Sequence, residues 1–575
     1  MLLILLRNLA KVDLVTSECF DCGDVFGHGR FQHCLFILTM VSMCAMHCHT
    51  LVFGLISGDV DHWCKQPQGE VMMSAASWRN VAIPLDPNGR FSRCTVYVYP
   101  GNPNDTRVVG CHQWDYDPER ERSTIVSQWD LVCNRRPLLA VAQAVYIAGS
   151  LLFMSFVGLI ADRVGRLPVL LLTVAALQLA TMGGCFAAAY HVYVLSRFLN
   201  SGCVATVTVL SSTLLFEAST HKHRSLHLCA AMTVGVLMAE GWFAVTRLLR
   251  ELDWIVLQSL MLSPTVLTLY AFTAAHESPR WYVAKKDIAS AEMVMLSAAK
   301  ENHFPLTTTA CMVEKLKEEV AMGEKRIKIT GGDFAGAHEL RHRALVMFSS
   351  SFAVTFTMFA TLLLDTQVSS RVNSWFQWAS NGADLAGSAL LILAIRRITA
   401  PSLLVATLGA LGGIAGLISL TFTFKEYLLT SLLFLLVKPL VYASNMLVFT
   451  TAMSVGAAAV RCATICWLFG FGRLGGACAA VLFAMLDMER GDVLFALAGT
   501  SLFGMMLVQL SLPPKHDILI LSSESATAKN KSAVEYMKHT LDTPVIYKRD
   551  SRRKSRVSIA SSRGPGSEIN SMDRY

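Results

Sequence analysis

The chain has 575 residues, of which 53% are hydrophobic and only 16% are charged, and its mean hydropathy is +0.45. This composition excludes an ordinary soluble globular protein and indicates a chain that crosses a lipid bilayer several times. The net charge of +8 lies mainly in loops and in the carboxy-terminal tail, so it indicates membrane topology and not a nucleic-acid partner. The sequence carries no complete metal-binding, nucleophile or phosphate-binding motif, so we expect neither an enzyme nor a cofactor.

The amino-terminal region leads directly into a first apolar run. Residues 1–30 are predicted to stay in the cytosol, because the opening apolar hexamer is too short for the core of a signal peptide. The first membrane span is predicted at 31–57.

A long polar loop, 58–136, follows the first span and is predicted to be extracellular and glycosylated. It contains four cysteines, which suit an oxidising outer face where disulfides persist: Cys64, Cys94, Cys111 and Cys133. Three pairings are possible, and the sequence does not choose among them. The loop also carries Asn104-Asp-Thr106, an N-glycosylation sequon that is meaningful only on the outside. The cysteines and the sequon therefore agree on the side that this loop faces.

Apolar runs of membrane-spanning length fill most of the remaining chain. Residues 137–275 hold five of them, at about 137–160, 168–188, 193–216, 226–249 and 253–275. The polar, basic residues 276–343 are predicted to form a central cytosolic loop. Residues 344–511 hold six more runs, at about 344–364, 375–395, 401–423, 427–450, 462–486 and 491–511. We therefore predict an all-α membrane protein with twelve transmembrane helices, followed by a basic, disordered cytosolic tail at 512–575.

The positive charges of the short loops favour the same orientation, with both termini in the cytosol. Seven Lys and Arg residues lie on the proposed inner side: Arg163, Arg166, Lys222, Arg224, Arg396, Arg397 and Arg461. Five lie on the proposed outer side: Arg247, Arg250, Arg371, Lys425 and Arg490. Cytosolic loops carry an excess of such residues, and this difference is a small one in the expected direction.

A charged motif lies in the tight turn between the second and third spans. It contains Gly158, Asp162, Arg163, Gly165 and Arg166. We expect Asp162 to sit at the start of the third helix, where the helix dipole favours a negative charge, and the glycines to let helices approach closely. The arginines would then latch the cytosolic ends of the helices in one state and release them in another. The alternative is a generic basic inner loop.

This motif, between two sets of six spans, resembles the major facilitator superfamily. More specific segments between about residues 23 and 282 resemble its organic cation, anion and zwitterion branch, solute carrier family 22. They are Phe26-Gly27, Gly29-Arg-Phe-Gln32, Asp61-His-Trp-Cys64, Trp114-Asp-Tyr116, Gln128-Trp-Asp-Leu-Val-Cys133 and Glu277-Ser-Pro-Arg-Trp281.

The resemblance implies a major facilitator fold in which two six-helix bundles alternate around a central cavity. Such a protein moves a small organic ion across the plasma membrane, with a counter-ion or an exchanged organic ion as a possible second partner. Glu217 and Arg224 match the acidic and basic pair that the branch carries after the fourth span. With the motif between spans two and three, and with Glu277, Arg280 and Arg461, they are predicted to form an inner gate. Ordinary helix-end charges are the alternative.

Charged residues within the spans are costly and are expected to face a cavity. The main candidates for substrate binding are Glu240, Lys438 and Arg473, with Asp365 and Asp384 near span ends. Arg473 falls where anion-carrying members of the branch have an arginine, which favours an anionic substrate over an organic cation or a carnitine-like zwitterion. Ser388 stands where many anion carriers have a lysine, and Glu240 offers a partner for a cation. Snorkelling or a structural salt bridge is the rival interpretation.

Aromatic side chains in the spans could also line a cavity. We select Trp242 and Phe356 as substrate-binding candidates through cation-π or stacking contacts. Helix packing and anchoring at the membrane interface are the alternatives for both residues.

The second half departs from the family pattern. The branch's acidic residue and proline after span ten are replaced in Ser454-Val-Gly-Ala-Ala-Ala-Val-Arg461, so Arg461 has no obvious local partner. The turn at Arg396-Arg397 lacks the usual glycine. We therefore carry two hypotheses: a secondary transporter of organic ions, or a non-transporting receptor or scaffold on the same fold.

Overall fold

The computed structural model describes residues 21–511, apart from 59, 68–72, 87–88, 102–105, 117–122, 250, 327–333, 372–374, 425, 456–457, 459 and 486–490. Within this part of the chain, eleven helices are long and apolar enough to cross a membrane. A further helix, Trp375–Ile395, has a shorter described apolar stretch at Gly382–Ile395. Asn104, residues 1–20 and residues 512–575 lie outside the described residues, and what was predicted for them stays a prediction.

The first half begins with a short helix, α1 (Cys22–Phe26), and the first span, α2 (Arg30–Ile56). The following loop contains β1 (His62–Cys64), α3 (Ala75–Ala82), β2 (Thr95–Tyr97), β3 (Val108–Gly110), β4 (Trp114–Tyr116) and α4 (Ile125–Gln128). The next spans are α5 (Pro137–Val164), α6 (Arg166–Cys185), α7 (Tyr190–Ala218) and α8 (Arg224–Leu248). The sixth runs from α9 (Trp254–Leu262) through a 3₁₀ helix, Ser263–Tyr270, to α10 (Ala271–Ala274). Pro264 lies at this change of helix type, since proline cannot donate the α-helical hydrogen bond.

Three helices then form a polar segment: α11 (Pro279–Ala284), α12 (Ile288–Glu301) and α13 (Leu306–Arg326). The second half consists of α14 (Phe334–Arg371), α15 (Trp375–Ile395), α16 (Ala400–Thr423), α17 (Tyr427–Val455), α18 (Arg461–Met485) and α19 (Gly491–Ser511).

The long helices pack as two bundles. In the first, α2 packs against α7 and α8, and α5 packs against α6 and α7; in the second, α14 packs against α17, α18 and α19. The bundles meet where α5 packs on α18, and where α8 packs on α15 and α17. Large apolar side chains on the outer faces, among them Leu172, Leu179 and Leu248, are exposed as expected for helices surrounded by lipid. The predicted all-α membrane fold with a major facilitator architecture is therefore confirmed.

The loop between α2 and α5 is held by two antiparallel strand pairs and two disulfides. Strand β1 pairs with β4, and β2 pairs with β3. Cys64 is bonded to Cys111 and Cys94 to Cys133, which is one of the three possible pairings. The indole N–H of Trp78 donates to the backbone oxygen of Cys64 at 2.8 Å, so a small aromatic core forms beside the first disulfide.

We expect the substitution Cys111→Ser to release one new free thiol, at Cys64, because the two residues are bonded to each other. Mass spectrometry of alkylated peptides from the unreduced protein would identify it. The matched control is Cys478→Ser, which removes an exposed, unbonded cysteine and should release none. A new free thiol at Cys94 or Cys133 would contradict this pairing.

Candidate functional site

A buried carboxylate, Glu217 in the last turn of α7, lies between two arginines from different halves of the protein. Its Oε1 is 3.1 Å from Nη2 of Arg166, the first residue of α6, and 2.7 Å from Nη1 of Arg461, the first residue of α18. All three side chains are almost completely inaccessible to solvent. We call these residues the charged triad. Because Arg461 belongs to the second bundle, the triad joins the ends of both bundles.

Asp162 makes a second connection between the bundles. Its carboxylate accepts hydrogen bonds from the backbone N–H groups of Cys462 at 3.3 Å and Ala463 at 2.8 Å, in the first turn of α18. The unpaired N–H groups of a helix N-terminus favour such a negative charge. The prediction that Asp162 starts the third span is corrected: α5 continues to Val164, and Asp162 caps a helix of the other bundle.

Two glycines of the predicted motif permit this close approach. A Cβ atom on Gly158 would lie 2.7 Å from both the Cα of Ala463 and the backbone oxygen of Cys462. Only glycine therefore lets α5 reach the backbone of α18 at this point. Gly165, between α5 and α6, has a φ of +124°. A residue with a side chain would be strained in this backbone conformation.

The segment after the sixth span packs against the triad. Glu277 accepts hydrogen bonds from the backbone N–H groups of Leu167 at 3.0 Å and Ser278 at 2.9 Å, and burial raises the pKa of its carboxyl. Nε of Arg280 donates to the backbone oxygen of Glu217 at 3.0 Å. The predicted gate residues Glu277 and Arg280 thus lie beside the first-half members of the cluster.

Other predicted gate residues are placed differently. Arg163 is exposed, and the guanidinium of Arg224 lies over the ring of Phe216 at 4.7 Å. Arg461, for which no local partner was found, is paired with Glu217 across 244 positions of sequence. The missing acid near Ser454 therefore does not leave this arginine unpaired, since the partner comes from the first half.

A cavity lies between the bundles, beside the middle of α18. It encloses about 640 Å³ of empty volume, which includes space open to solvent, and its lining includes His47, Thr355, Tyr442, Phe469 and Arg473. Arg473 is twelve positions after Arg461, which places it about 18 Å further along the helix from the triad. An adjoining pocket of about 530 Å³ shares His47 and Tyr442 and is also lined by Lys438.

Arg473 is the cation of this cavity whose charge is left uncompensated. Its side chain is 7% exposed, and its guanidinium lies over the ring of Phe469 at 4.8 Å. Among the described residues it makes no ion pair. Since a buried charge without a partner is costly, this position suits a negatively charged ligand.

The other charged side chains at the cavity contact one another. Glu240 Oε1 lies 3.0 Å from Nε2 of His47 and accepts a hydrogen bond from the hydroxyl of Tyr442 at 3.2 Å. Nζ of Lys438 lies 3.8 Å from Oε2 of Glu240 and 2.8 Å from Oδ2 of Asp384. The structure therefore brings the predicted Glu240 and Lys438 together in one network, which we call the interfacial network, with His47, Tyr442 and Asp384.

The two predicted aromatic contacts lie away from these pockets. Trp242 donates its indole N–H to the backbone oxygen of Leu260 at 3.0 Å, and neither pocket includes it. Phe356 is buried in the helix core and is also outside both linings. Phe359, Phe449 and Phe469 are the phenylalanines that border the larger pocket.

Sequence reasoning missed His47 and Tyr442, which line both pockets. A usable signal was present: His47 is a titratable side chain within the apolar first span, where polar groups are expensive. Tyr442 carried no such signal, because a tyrosine in a membrane helix is equally suited to packing or to the interface.

Comparison with known proteins identifies similar sequences. A family described as sugar (and other) transporters matches residues 104–374. The chain is 30% identical over 379 residues to human solute carrier family 22 member 12, an alignment that covers 61% of this chain and 67% of that protein. It is 26% identical over 356 residues to human organic anion transporter 3, covering 60% of this chain and 63% of that protein.

Other curated relatives include solute carrier family 22 member 7 from Rattus norvegicus, at 26% identity over 365 residues. That alignment covers 59% of this chain and 66% of the rat protein, so the chain matches just under two thirds of its length. Among solved structures, the xylose transporter XylE from E. coli is similar, with a TM-score of 0.53, 15% identity and coverage of 84% of this chain and 98% of that one. At this identity the likeness concerns the fold alone.

We expect Glu217→Gln to destabilise the contact between the bundles, because it removes the negative charge that two buried arginines share. Loss of one partner from a buried pair costs about 3–5 kcal/mol. The purified full chain should melt at a lower temperature, and the buried thiol of Cys462 should react faster with a maleimide.

Lys317→Gln is the control for Glu217→Gln, since it removes a surface ion pair of 3.1 Å with Glu292. Such a pair contributes about 1 kcal/mol or less. A wild-type melting temperature together with wild-type Cys462 reactivity in Glu217→Gln would refute the structural importance of the triad.

Gly158→Ala should loosen the same contact by a different cause, since the added methyl group would collide with the backbone of α18. Overpacking of this kind costs about 1–3 kcal/mol. The matched control is Gly183→Ala in α6, where no atom lies within 4 Å of the added carbon. The same melting and alkylation measurements apply. Equal results for the two variants would show that the packing of α5 on α18 does not require a glycine at position 158.

Proposed function

Because this chain belongs to solute carrier family 22 of the major facilitator superfamily, we propose that it is a secondary transporter that carries small organic anions across the plasma membrane by alternating access. One of the relatives is named organic anion transporter 3, which supports a transport role over enzymatic chemistry. A counter-ion or an exchanged organic ion would complete the cycle.

The observation that carries the choice of an anion is the state of Arg473. It is a buried cation at the larger pocket, and among the described residues it has no acidic partner. A carboxylate or sulfate can supply the missing charge through two parallel hydrogen bonds to one guanidinium. Phe469 covers one face of the guanidinium, and the N–H groups at its edge would bind such a group.

The state of Glu240 argues in the same direction. The sequence left this residue as a possible partner for an organic cation, but its carboxylate already contacts His47, Lys438 and Tyr442. A cationic substrate would have to displace an existing ion pair to reach it. An anionic substrate meets an arginine that needs no such displacement.

Alternating access is supported by the position of the charged triad relative to the cavity. The triad and Asp162 close the contact between α5 and α18 about 18 Å from Arg473 along α18. Opening the cavity toward this end would require the bonds of Glu217 and Asp162 to the second bundle to break. These bonds are therefore suited to a gate that forms in one state and is lost in another.

The topology of the chain supports placing this gate on the cytosolic side. The disulfide-linked loop lies between the end of α2 and the start of α5, whereas the triad lies at the opposite end of α5. Disulfides persist in the oxidising environment outside the cell. On this basis the loop is extracellular and the triad cytosolic, as in a plasma-membrane transporter.

A non-transporting receptor or scaffold was motivated by the altered motif after α17. In that motif Ser454 stands where the family has an acidic residue and Ala457 where it has a proline; Ala457 lies outside the described residues. Since Arg461 has recovered an acidic partner in Glu217, the loss of the local acid is not by itself a reason to expect a protein that cannot close its gate.

We expect cells that express the chain to take up a labelled steroid sulfate, and Arg473→Ala to lower this uptake about tenfold or more. The physical reason is the loss of a desolvated contact between two charges. A tenfold decrease corresponds to a loss of about 1.4 kcal/mol of binding free energy. Labelled tetraethylammonium and carnitine, measured in parallel, test the cation and zwitterion alternatives. Surface biotinylation corrects for the amount of protein at the membrane.

Arg473→Lys and Arg90→Ala are the controls. The first keeps the positive charge and should retain part of the uptake, whereas the second changes an exposed loop arginine and should leave uptake within about twofold of wild type. Equal anion uptake in wild type and Arg473→Ala would remove Arg473 from substrate binding. Absence of flux for all three probes would favour the receptor hypothesis.

A further inference from the structure

Among the described residues, the interfacial network carries an imbalance of charge. It contains two buried carboxylates, Glu240 and Asp384, and one ammonium group, Lys438, which lies within 4 Å of both. With a neutral His47 the network has a formal charge of −1 in the middle of the membrane-spanning helices. Buried charge is strongly disfavoured unless it is compensated.

One proton makes this network neutral. Nε2 of His47 lies 3.0 Å from Oε1 of Glu240, so an imidazolium there would donate directly to the carboxylate. Imidazole is the side chain that gains and loses a proton within the physiological pH range. Tyr442 supports the same site, because its hydroxyl donates to Oε1 of Glu240 at 3.2 Å and lies 3.4 Å from Nε2 of His47.

The network is also in contact with the cavity that contains Arg473. His47 and Tyr442 line the larger pocket together with Arg473, and Lys438 lines the adjoining pocket. An anion in the cavity would therefore attract a proton to the network, and a proton on the network would attract an anion. By linkage, each increases the affinity for the other by the same factor.

We propose that the interfacial network is a proton-binding site and that the protein moves a proton and an organic anion together in the same direction. This inference rests on the proposed anion transport. In the loaded state the proton neutralises the His47, Glu240, Asp384 and Lys438 group while the substrate neutralises Arg473. The loaded cavity then carries no net charge, and both bundles can move around it without exposing a buried ion.

Other ionisable groups face the network from the elements packed around it. On α2 they are the thiols of Cys44, three positions before His47, and Cys48, directly after it. Helix α17 supplies Lys438 and Tyr442, α15 supplies Asp384 and α18 supplies Arg473. The described α14 side chains that line the pockets are uncharged, such as Thr355 and Thr361. His47 is therefore the imidazole within this group.

The experiment uses the purified full chain in liposomes whose membrane potential is clamped with potassium and valinomycin. The probe is a labelled steroid sulfate, which stays ionised at the working pH and so cannot follow the gradient as a neutral acid. Initial uptake is measured with equal pH on both sides and with the outside about 1.5 pH units more acidic. We expect the gradient to raise the initial rate of wild-type uptake severalfold. At equilibrium, one proton per anion would allow the probe to accumulate about thirtyfold.

The ratio of uptake with and without the gradient is formed within each variant, so that a change in overall activity cancels. His47→Gln and Glu240→Gln should lower this ratio to about one. The matched control is His49→Gln, two positions away on α2, whose Nε2 contacts Thr265 and lies outside the network; its ratio should stay at the wild-type value. A proton carrier should abolish the wild-type ratio.

Exchange of labelled for unlabelled probe at equal pH distinguishes failure of this inference from failure of the proposed function. Wild-type exchange with a gradient ratio of one would overturn proton coupling and leave anion transport intact. No exchange at all would overturn both. A high ratio that survives in both His47→Gln and Glu240→Gln would overturn the assignment of the proton to this network.

Discussion

The contact between the two bundles is centred on a buried carboxylate, Glu217, held between Arg166 and Arg461. Both arginines are sealed from water, so neither could be tolerated there without a counter-charge. This one acid contacts two cations from different halves of the chain, and Oδ1 of Asp162 also lies 3.4 Å from Nη2 of Arg166. Asp162 adds the same kind of connection by accepting backbone N–H groups at the start of α18. Together, ion pairs and the capping of α18 hold the two bundles closed at the end of α5 that contains Asp162.

The cavity differs from the charged triad in how its charges are paired. At the triad every charge has a partner, and around Glu240 the side chains of Lys438 and His47 belong to one network. Arg473 is left with an aromatic ring and the open pocket. A site whose own groups are satisfied is suited to structure, whereas a site with one unsatisfied charge is suited to a ligand. This difference connects the architecture to an anionic substrate and to a coupled proton.

The sequence motifs predicted which residues lie around the charged triad better than they predicted which of these residues pair with each other. Gly158, Asp162, Arg166, Glu217, Glu277 and Arg280 were all selected, and all lie in the cluster. Arg163, Arg166, Arg224 and Arg461 were all expected in the gate, and Arg166 and Arg461 are the two of them that contact Glu217. A motif records which residue types occur near a turn, and it does not record which of two neighbouring arginines points inward. That choice depends on helix rotation, which the packing against α18 and α11 decides.

The sequence by itself determined that this chain lies in a membrane, the order of its apolar helices, and the polar loop with its four cysteines, because hydropathy and helix length are local properties. It also placed Arg473 within a span, where a charge must be explained. The tertiary structure alone decided the disulfide pairing, the partner of Arg461 and the interfacial network. These join residues that lie far apart along the chain, such as His47 and Tyr442. No local pattern encodes such contacts; they exist only when folded helices bring the side chains within bonding distance.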